Sequence, residues 1–506
     1  MTLSRTAAAN ALGFLVGALV AFVQAPFLLH ALGDARYGTW VLVGMVSGYY
    51  GLLDFGVRGS VGYFLAVARA RDDAEGIPAL VASAVWTMAA LAALVLAAAL
   101  LALPLFQRLF AIPAADWADT RRALALTALT IALSLVLDVF AAVINGCRRA
   151  DLLAGVDIAT RLATTLAIFL VIPAGPSLTT LAAINLAGRS LGWLATIIGA
   201  RQLERRWRLH PRALRRARVR DLFAYGSRSF VGNVGGTLVA RLDSAVIGAF
   251  LGSARVTPYA LAQSLVTYLA GALASVTLVL TPYFADAHGR EDHARSRALF
   301  LGGTRATALL ASLCAAGLLA FGTPFLRLWA GERFVSGPLA FRADVVLAVL
   351  LAATLPRLLL GVGQQYLFGS YQHGVVARLV LVEGLANVAL SCALAPRFGL
   401  VGVALGTLLP TLAVRAVIVP RHLARALDIP VRRMLRDAIV PALPPAAALL
   451  GAALLLQRLV AVTSWPRLLL LAGAAGTVGL ATAWAVVPSA TERAALLARL
   501  RPRRAP

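Results

Sequence analysis

Long apolar blocks alternate with short polar clusters from one end of the chain to the other. Each block, at about 18–25 residues, is long enough to cross a ~30 Å hydrocarbon layer as a helix. The pattern predicts fourteen spans, at 8–32, 39–67, 79–104, 123–146, 152–174, 178–200, 222–251, 257–284, 302–328, 342–370, 375–395, 399–420, 437–457 and 466–488. Several contain glycine or proline, which membrane helices tolerate. The expected fold is all-α and polytopic. The first block follows Arg5 and exceeds the roughly 7–15 residues of a signal-peptide core, so it reads as a retained span.

The polar clusters carry a repeat. LGDAR at 32–36 closes the first span and LGSAR at 251–255 closes the seventh. YFLAVARARDD at 63–73 pairs with YFADAHGRED at 283–292, and VINGCRRADLL at 143–153 with YLFGSYQHGVV at 366–376. The offsets are 219, 220 and 223, a nearly constant register. The pattern is that of a duplicated six-span unit. An even span number gives both copies the same orientation, so their pseudo-symmetry axis is expected along the membrane normal. The expected organisation is a six-helix lobe at 1–200, a basic linker at 201–221, a second lobe at 222–420, an appended helix pair at 437–488 and a basic tail at 489–506.

Charge then orients the spans. All 47 basic residues are arginine, against 22 acids, for a formal charge of +25. Arginines crowd the connections after even-numbered spans, as at Arg69 and Arg71, Arg148 and Arg149, Arg290 to Arg297, and Arg421 to Arg436. The positive-inside rule therefore places both termini in the cytoplasm. The linker alone holds nine arginines. It reads as a solvated basic loop with an added attraction to anionic membrane lipids. Topology accounts for the basic balance, and no nucleic-acid partner is expected.

Several classes find no support. Cys147, Cys314 and Cys392 make no CxxC pair and no metal spacing. No nucleophile–base pair, metal motif or glycine-rich phosphate loop occurs. The longest outer segment, 105–122, has Asp116 and Asp119 but no histidine. Neither an enzyme nor a cofactor or metal is expected.

The candidate chemistry is charge inside the spans. Wound as one helix, residues 44–62 place Gly44, Ser47, Gly48, Gly51, Asp54, Arg58 and Gly62 within about 120° of one another, with Leu42, Val46, Leu53 and Val57 opposite. A charge at the bilayer centre costs about 2.5–3.5 kcal/mol on insertion scales, so this face turns to a partner helix or a cavity. Asp54 and Arg58 can pair, as can Asp157 and Arg161. Salt bridge and substrate contact stand as equal readings for both pairs. Further intramembrane charges are Asp138 in span 4, Arg189 in span 6, Arg228, Arg241 and Asp243 in span 7, Arg357 in span 10, Arg378 and Glu383 in span 11, and Arg415 in span 12. Eight arginines against five acids leave a positive surplus. It suits an anionic substrate, because the guanidinium fork bonds phosphate bidentately. Arg378 and Arg415 lie near span ends and read first as snorkelling. Arg189, Arg241 and Arg357 lie deeper and read as cavity groups. Asp138, Asp243 and Glu383 are candidates for proton coupling.

The stretch LGDARYGTWVLVGMVSGYYGLLDFGVRGSVGYFLA at 32–66 resembles the opening of the polysaccharide (O-antigen) flippase family, within the multidrug/oligosaccharidyl-lipid/polysaccharide (MOP) superfamily. The matching positions are Leu32, Gly33, Tyr37 and Gly38, then Asp54 and Gly56. GLVGVALGTLL at 399–409 resembles the family's twelfth span. The resemblance implies two lobes around a partly cationic cavity. It implies movement of a lipid-linked oligosaccharide, an undecaprenyl-diphosphate-linked repeat unit, from the inner to the outer leaflet, as in lipopolysaccharide O-antigen assembly, alongside polysaccharide polymerase machinery. Arg58, Arg161, Arg189, Arg241 and Arg357 are then the candidates for the diphosphate, with Gly235–Gly236, Pro282 and Pro356 as bending points. A lipid II flippase is the alternative, and a multidrug or cation antiporter a second one, against which the arginine surplus argues.

Overall fold

The computed structural model of the chain describes residues 3–48, 53–73 and 75–487, with the side chains of 3–11, 227–241 and 373 outside that description. All regular structure among the described residues is helical. The helices are α1 (Leu3–Leu32), α2 (Asp34–Gly48), α3 (Val57–Ala70), α4 (Gly76–Leu101), α5 (Leu103–Leu109), α6 (Ala114–Gly146), α7 (Ala150–Val171), α8 (Leu178–Leu203), α9 (Arg216–Leu251), α10 (Ser253–Leu278), α11 (Thr281–Gly289), α12 (His293–Ala330), α13 (Ala343–Leu359), α14 (Gly361–Gly369), α15 (His373–Thr411), α16 (Val419–Leu427), α17 (Val431–Met434), α18 (Leu443–Leu459) and α19 (Trp465–Val486).

Among the described residues, ten helical stretches are long and apolar enough to cross a membrane. One of them, Gly374–Leu427, holds two expected spans, because Gly399 (φ +60°) breaks α15. A further crossing is the pair α13–α14, bent by 42°. The remaining two expected spans fall on α9, of which Leu242–Leu251 is a shorter apolar helix, and on the pair α2–α3. The chain is thus an all-α polytopic membrane protein, with ten or more apolar membrane-spanning helices among its described residues.

Span 2 departs from expectation. It is not one helix over 44–62. The chain turns at 54–56, with Phe55 at φ +47° and Gly56 at φ +75°. Asp54 holds the turn: its Oδ1 accepts from Gly56 N at 2.9 Å and its carbonyl from Val57 N at 2.9 Å. Glycine is needed at 56 for a second reason. A Cβ there would come 2.5 Å from the carbonyl oxygen of Gly226. Backbone meets backbone at this point, whereas Gly62 of the expected small face faces Ala142 and Gly146 of α6 and Gly44 meets open space. Two other expected bends coincide with helix ends. Pro282 starts α11 after an interruption at 279–280, and Pro356 precedes the α13–α14 bend. Gly235–Gly236 lie outside the described side chains.

The chain forms two compact units, one of Met1–Ala260 with Val380–Pro396, the other of Leu261–Leu379 with Arg397–Pro506. In the first, α6 is the central element and packs on α2, α3, α4 and α8. A core of Val57, Val61, Leu65, Ile77, Met88, Val139, Phe140, Val143 and Ile144 joins α3, α4 and α6. Trp207 of the basic linker is part of that core. The linker is fastened down further on. Trp86 Nε1 donates to the Leu209 carbonyl at 3.0 Å, Arg215 N to Ser83 Oγ at 3.0 Å, and buried Glu204 takes Arg206 Nε at 2.8 Å. In the second unit, α18 and α19 pair and pack on α12 through Ala316, Ala320, Phe321, Leu449, Ala453, Leu471 and Ala475.

The repeat recurs in backbone geometry. Gly33 and Gly252 are both left-handed, at φ +76° and +87°. Asp72 and Glu291 match at +49° and +56°, and Arg148 and Tyr371 both stand at +58°. The following caps match too: Asp73 Oδ1 accepts from Gly76 N at 2.7 Å, and Asp292 Oδ1 from Arg295 N at 2.8 Å. The glycine of each LG pair is what allows the sharp turn without a Cβ clash.

Candidate functional site

A charged cluster lies at membrane depth in the first unit, built from two i,i+4 pairs on neighbouring helices. Ser134 and Asp138 stand on α6, Arg189 and Trp193 on α8. Small residues on α8 set its seam with α7: Gly188 packs on Thr164, Gly192 on Thr160 and Gly199 on Leu152. Arg58, from the first turn of α3, completes the cluster. Asp138 is the hub. Its Oδ1 accepts from Trp193 Nε1 at 2.9 Å, and its Oδ2 lies 3.4 Å from Arg58 Nη1 and 3.7 Å from Arg189 Nη2. Arg58 Nε also bonds Asp54 Oδ2 at 2.6 Å. Arg189 Nη2 donates to Ser134 Oγ at 3.2 Å, and its guanidinium lies 5.5 Å from the Trp193 ring centre.

Burial within the cluster is uneven. The Asp54 and Asp138 side chains are 6% and 15% exposed, those of Arg58 and Arg189 35% and 43%. The acids form the floor and the guanidiniums the open face. The cluster is formally neutral, yet an approaching molecule meets cationic N–H groups first. Pairing offsets the desolvation of each charge, and the exposed N–H edges keep the geometry that oxyanions need.

The other expected residues are placed as follows. Arg161 bonds Asp157 on its own helix at 3.2 Å, and its guanidinium packs over Gly17 of α1. Asp243 accepts from the buried hydroxyl of Tyr259 at 2.5 Å. Glu383 is buried in a polar stripe with Asn387 and Ser391 on α15. The Arg241 side chain lies outside the described residues. In the second unit, Arg357 and Arg415 line one small cavity of about 10 Å³ with Gln364, Leu367 and Val376. That is room for about one water. Tyr37 packs against the core below the first loop, and Gly33 and Gly38 turn and seat that loop.

Two residues escaped the sequence reading. Trp193 gives Asp138 its shortest bond, and its only signal was its place four residues after Arg189. Arg415 reads as snorkelling, but it is 8% exposed and sits in a π-helical segment, Leu412–Ile418. A π segment rotates the residues after it relative to an α-helix, so a regular helical wheel misplaces them; such segments recur at functional sites. Arg36 of the LGDAR loop is structural. It bonds Asp119 at 2.6 Å, and Asp119 in turn caps α8 by accepting from Leu178 N and Thr179 N.

Comparison with known proteins places this architecture. The family model described as "Polysaccharide biosynthesis protein" matches residues 3–288. The uncharacterized membrane protein EpsK of Bacillus subtilis (strain 168) is 25% identical over 478 residues, covering 91% of this chain and 90% of EpsK. Among solved structures, the lipid II flippase MurJ in an inward closed conformation superposes with a TM-score of 0.70 at 12% identity, over 94% of this chain and 98% of MurJ. An inward-facing multidrug resistance MATE family transporter of the MOP superfamily gives 0.68 at 13% identity, over 83% of this chain and 99% of its own. At these identities the likeness to the two solved structures is one of fold.

Proposed function

The chain belongs to the polysaccharide biosynthesis protein family, and from that premise we propose that it moves a lipid-linked oligosaccharide from the inner to the outer leaflet of a bacterial cell membrane. The observation that carries this reading is the Asp138 cluster. Two arginines on different helices present open guanidinium faces above two buried carboxylates. A diphosphate linking lipid to sugar is the complementary group, since its oxygens bridge two guanidiniums bidentately. Alternating access of two lobes, with this cluster as the first unit's contribution and both termini cytoplasmic, is the mechanism proposed. Asp138 has a stated part in it. A phosphate that takes Arg58 and Arg189 draws both guanidiniums away from this carboxylate, which keeps the Trp193 indole.

A lipid II flippase is the second reading. It is favoured by the fold likeness to MurJ, which extends over 94% of this chain. Deleting the gene in its own host distinguishes the two. The proposal expects loss of surface polysaccharide and build-up of its diphosphate-linked intermediate in the inner leaflet. It expects rescue by the wild type but not by Arg58→Ala with Arg189→Ala. Accumulation of lipid II instead, with surface polysaccharide intact, overturns it in favour of the second reading. Unchanged lipid intermediates overturn both.

A further inference from the structure

The first unit contains a second feature that the charged cluster does not use. An open groove of about 580 Å³ runs along the seam of α7 and α8. Its floor is small and apolar, with Gly155, Ala159 and Ala163 at successive helical turns of α7 and Gly188, Leu191 and Ala195 on α8. On α8, about 100° per residue separates this face from Arg189 and Trp193. One end of the groove is polar. Arg149 and Asp151 line it, bonded to each other at 3.0 Å, and the Arg149 side chain remains 40% exposed. Arg148, next to it, is also exposed. The lining of the mouth is thus one arginine and one carboxylate, and Arg148, outside that lining, adds a second cation at the rim.

Length identifies the occupant. From Arg149 to Ala163 α7 rises roughly 21 Å at about 1.5 Å per residue. This is half of a bilayer that measures about 40–45 Å with its head groups. A charged end at head-group level and an apolar trough ending near the midplane match one lipid of one leaflet. We propose that this groove is a binding site for an anionic phospholipid, with its phosphate on Arg148 and Arg149 and one acyl chain along Gly155, Ala159 and Ala163. The net positive mouth selects an anionic head over a zwitterionic one. The site stands independently of what the protein transports.

The test is native mass spectrometry of the purified full-length protein released from phosphatidylcholine vesicles with or without phosphatidylglycerol. Wild type retains one phosphatidylglycerol in preference to phosphatidylcholine. Arg148→Ala with Arg149→Ala lowers that adduct at least ten-fold, and the double lysine variant retains it. Gly155→Leu with Ala159→Leu fills the trough and also loses the adduct. A Cβ at Gly155 meets nothing within 4 Å, so this variant is expected to melt as wild type does. Equal retention of phosphatidylcholine, or an unchanged adduct in the leucine variant, overturns the proposal. So does displacement of phosphatidylglycerol by equimolar undecaprenyl phosphate, which would give the groove to the transported lipid.

Discussion

The hydroxyl of Thr257 donates to the carbonyl of Asp34 at 2.7 Å. The two residues belong to the two copies of the repeated loop, LGDARYG and LGSARVT. At the repeat offset of 219, Thr257 is the counterpart of Gly38, and Gly38 packs against Ser253 and Thr257. Each copy therefore places the same position on the other copy's turn. One uses a side-chain hydrogen bond, the other the absence of a side chain. The expectation is asymmetric. Gly38→Val drives a Cβ into the Ser253 carbonyl and abolishes folding or transport, whereas Thr257→Val costs about 1 kcal/mol, a single hydrogen bond. Thermal melting of both variants in detergent checks the difference.

Asp138 carries more than its pairwise bonds suggest. Asp138→Asn leaves Arg58 and Arg189 facing each other without their shared carboxylate. Losing one partner of a buried ion pair costs about 3–5 kcal/mol, and the half-open guanidiniums place this case at the low end. Trp193→Phe removes only the indole donor, about 1.5–3 kcal/mol for a bond to a charged group. A melting temperature lowered more by Trp193→Phe than by Asp138→Asn would contradict the hub assignment. Because Trp193 bonds Asp138 directly, Asp138→Asn is also expected to shift tryptophan emission.

Gly56 is fixed by two constraints at once, its φ of +75° and its closeness to Gly226. Gly56→Ala is expected to lower stability by more than the roughly 1 kcal/mol of an ordinary left-handed strain, because the new methyl meets backbone that cannot rotate away. Gly155→Ala, in open space inside α7, is the control and does not lower the melting temperature, since alanine favours a helix interior over glycine by about 0.5–1 kcal/mol.

The linker gives a pH prediction. The Arg206 guanidinium, by hydrogen bonding, holds the Glu204 carboxyl below its ordinary value near 4.5 despite burial. A carboxyl whose folded value is depressed stabilises the fold above its unfolded value. That contribution is lost as pH falls through the lower, folded value. Glu204→Gln should therefore melt below wild type at neutral pH, and the gap should close as pH drops below about 4.5. A gap independent of pH from 7 to 4 would assign Glu204 a packing role only.

The helices were legible in the sequence because hydropathy is a local signal and a bilayer fixes its length scale. The repeated turns were legible for the same reason. Their marks, Gly33 and Gly252 or Asp72 and Glu291, are turn positions whose conformation follows from nearby residues. The turn at Asp54–Gly56 was not, since a helical wheel assumes that the helix continues. Nor was the bond from Trp193 to Asp138, which joins residues 55 apart through the packing of α6 on α8. Arg415 was misjudged because nearness to a span end gives depth but not the direction in which a side chain turns, and here it turns inward.

The arginine-rich connection between α8 and α9 has a mechanical consequence. Trp207 is sunk in the first unit's core, and Leu209 and Arg215 are tied to α4. A connection secured at three points has almost no slack. It acts as a bracket that runs straight into α9, itself packed on α2, α3 and α4, so salt would weaken the electrostatic field of its arginines while leaving their positions unchanged.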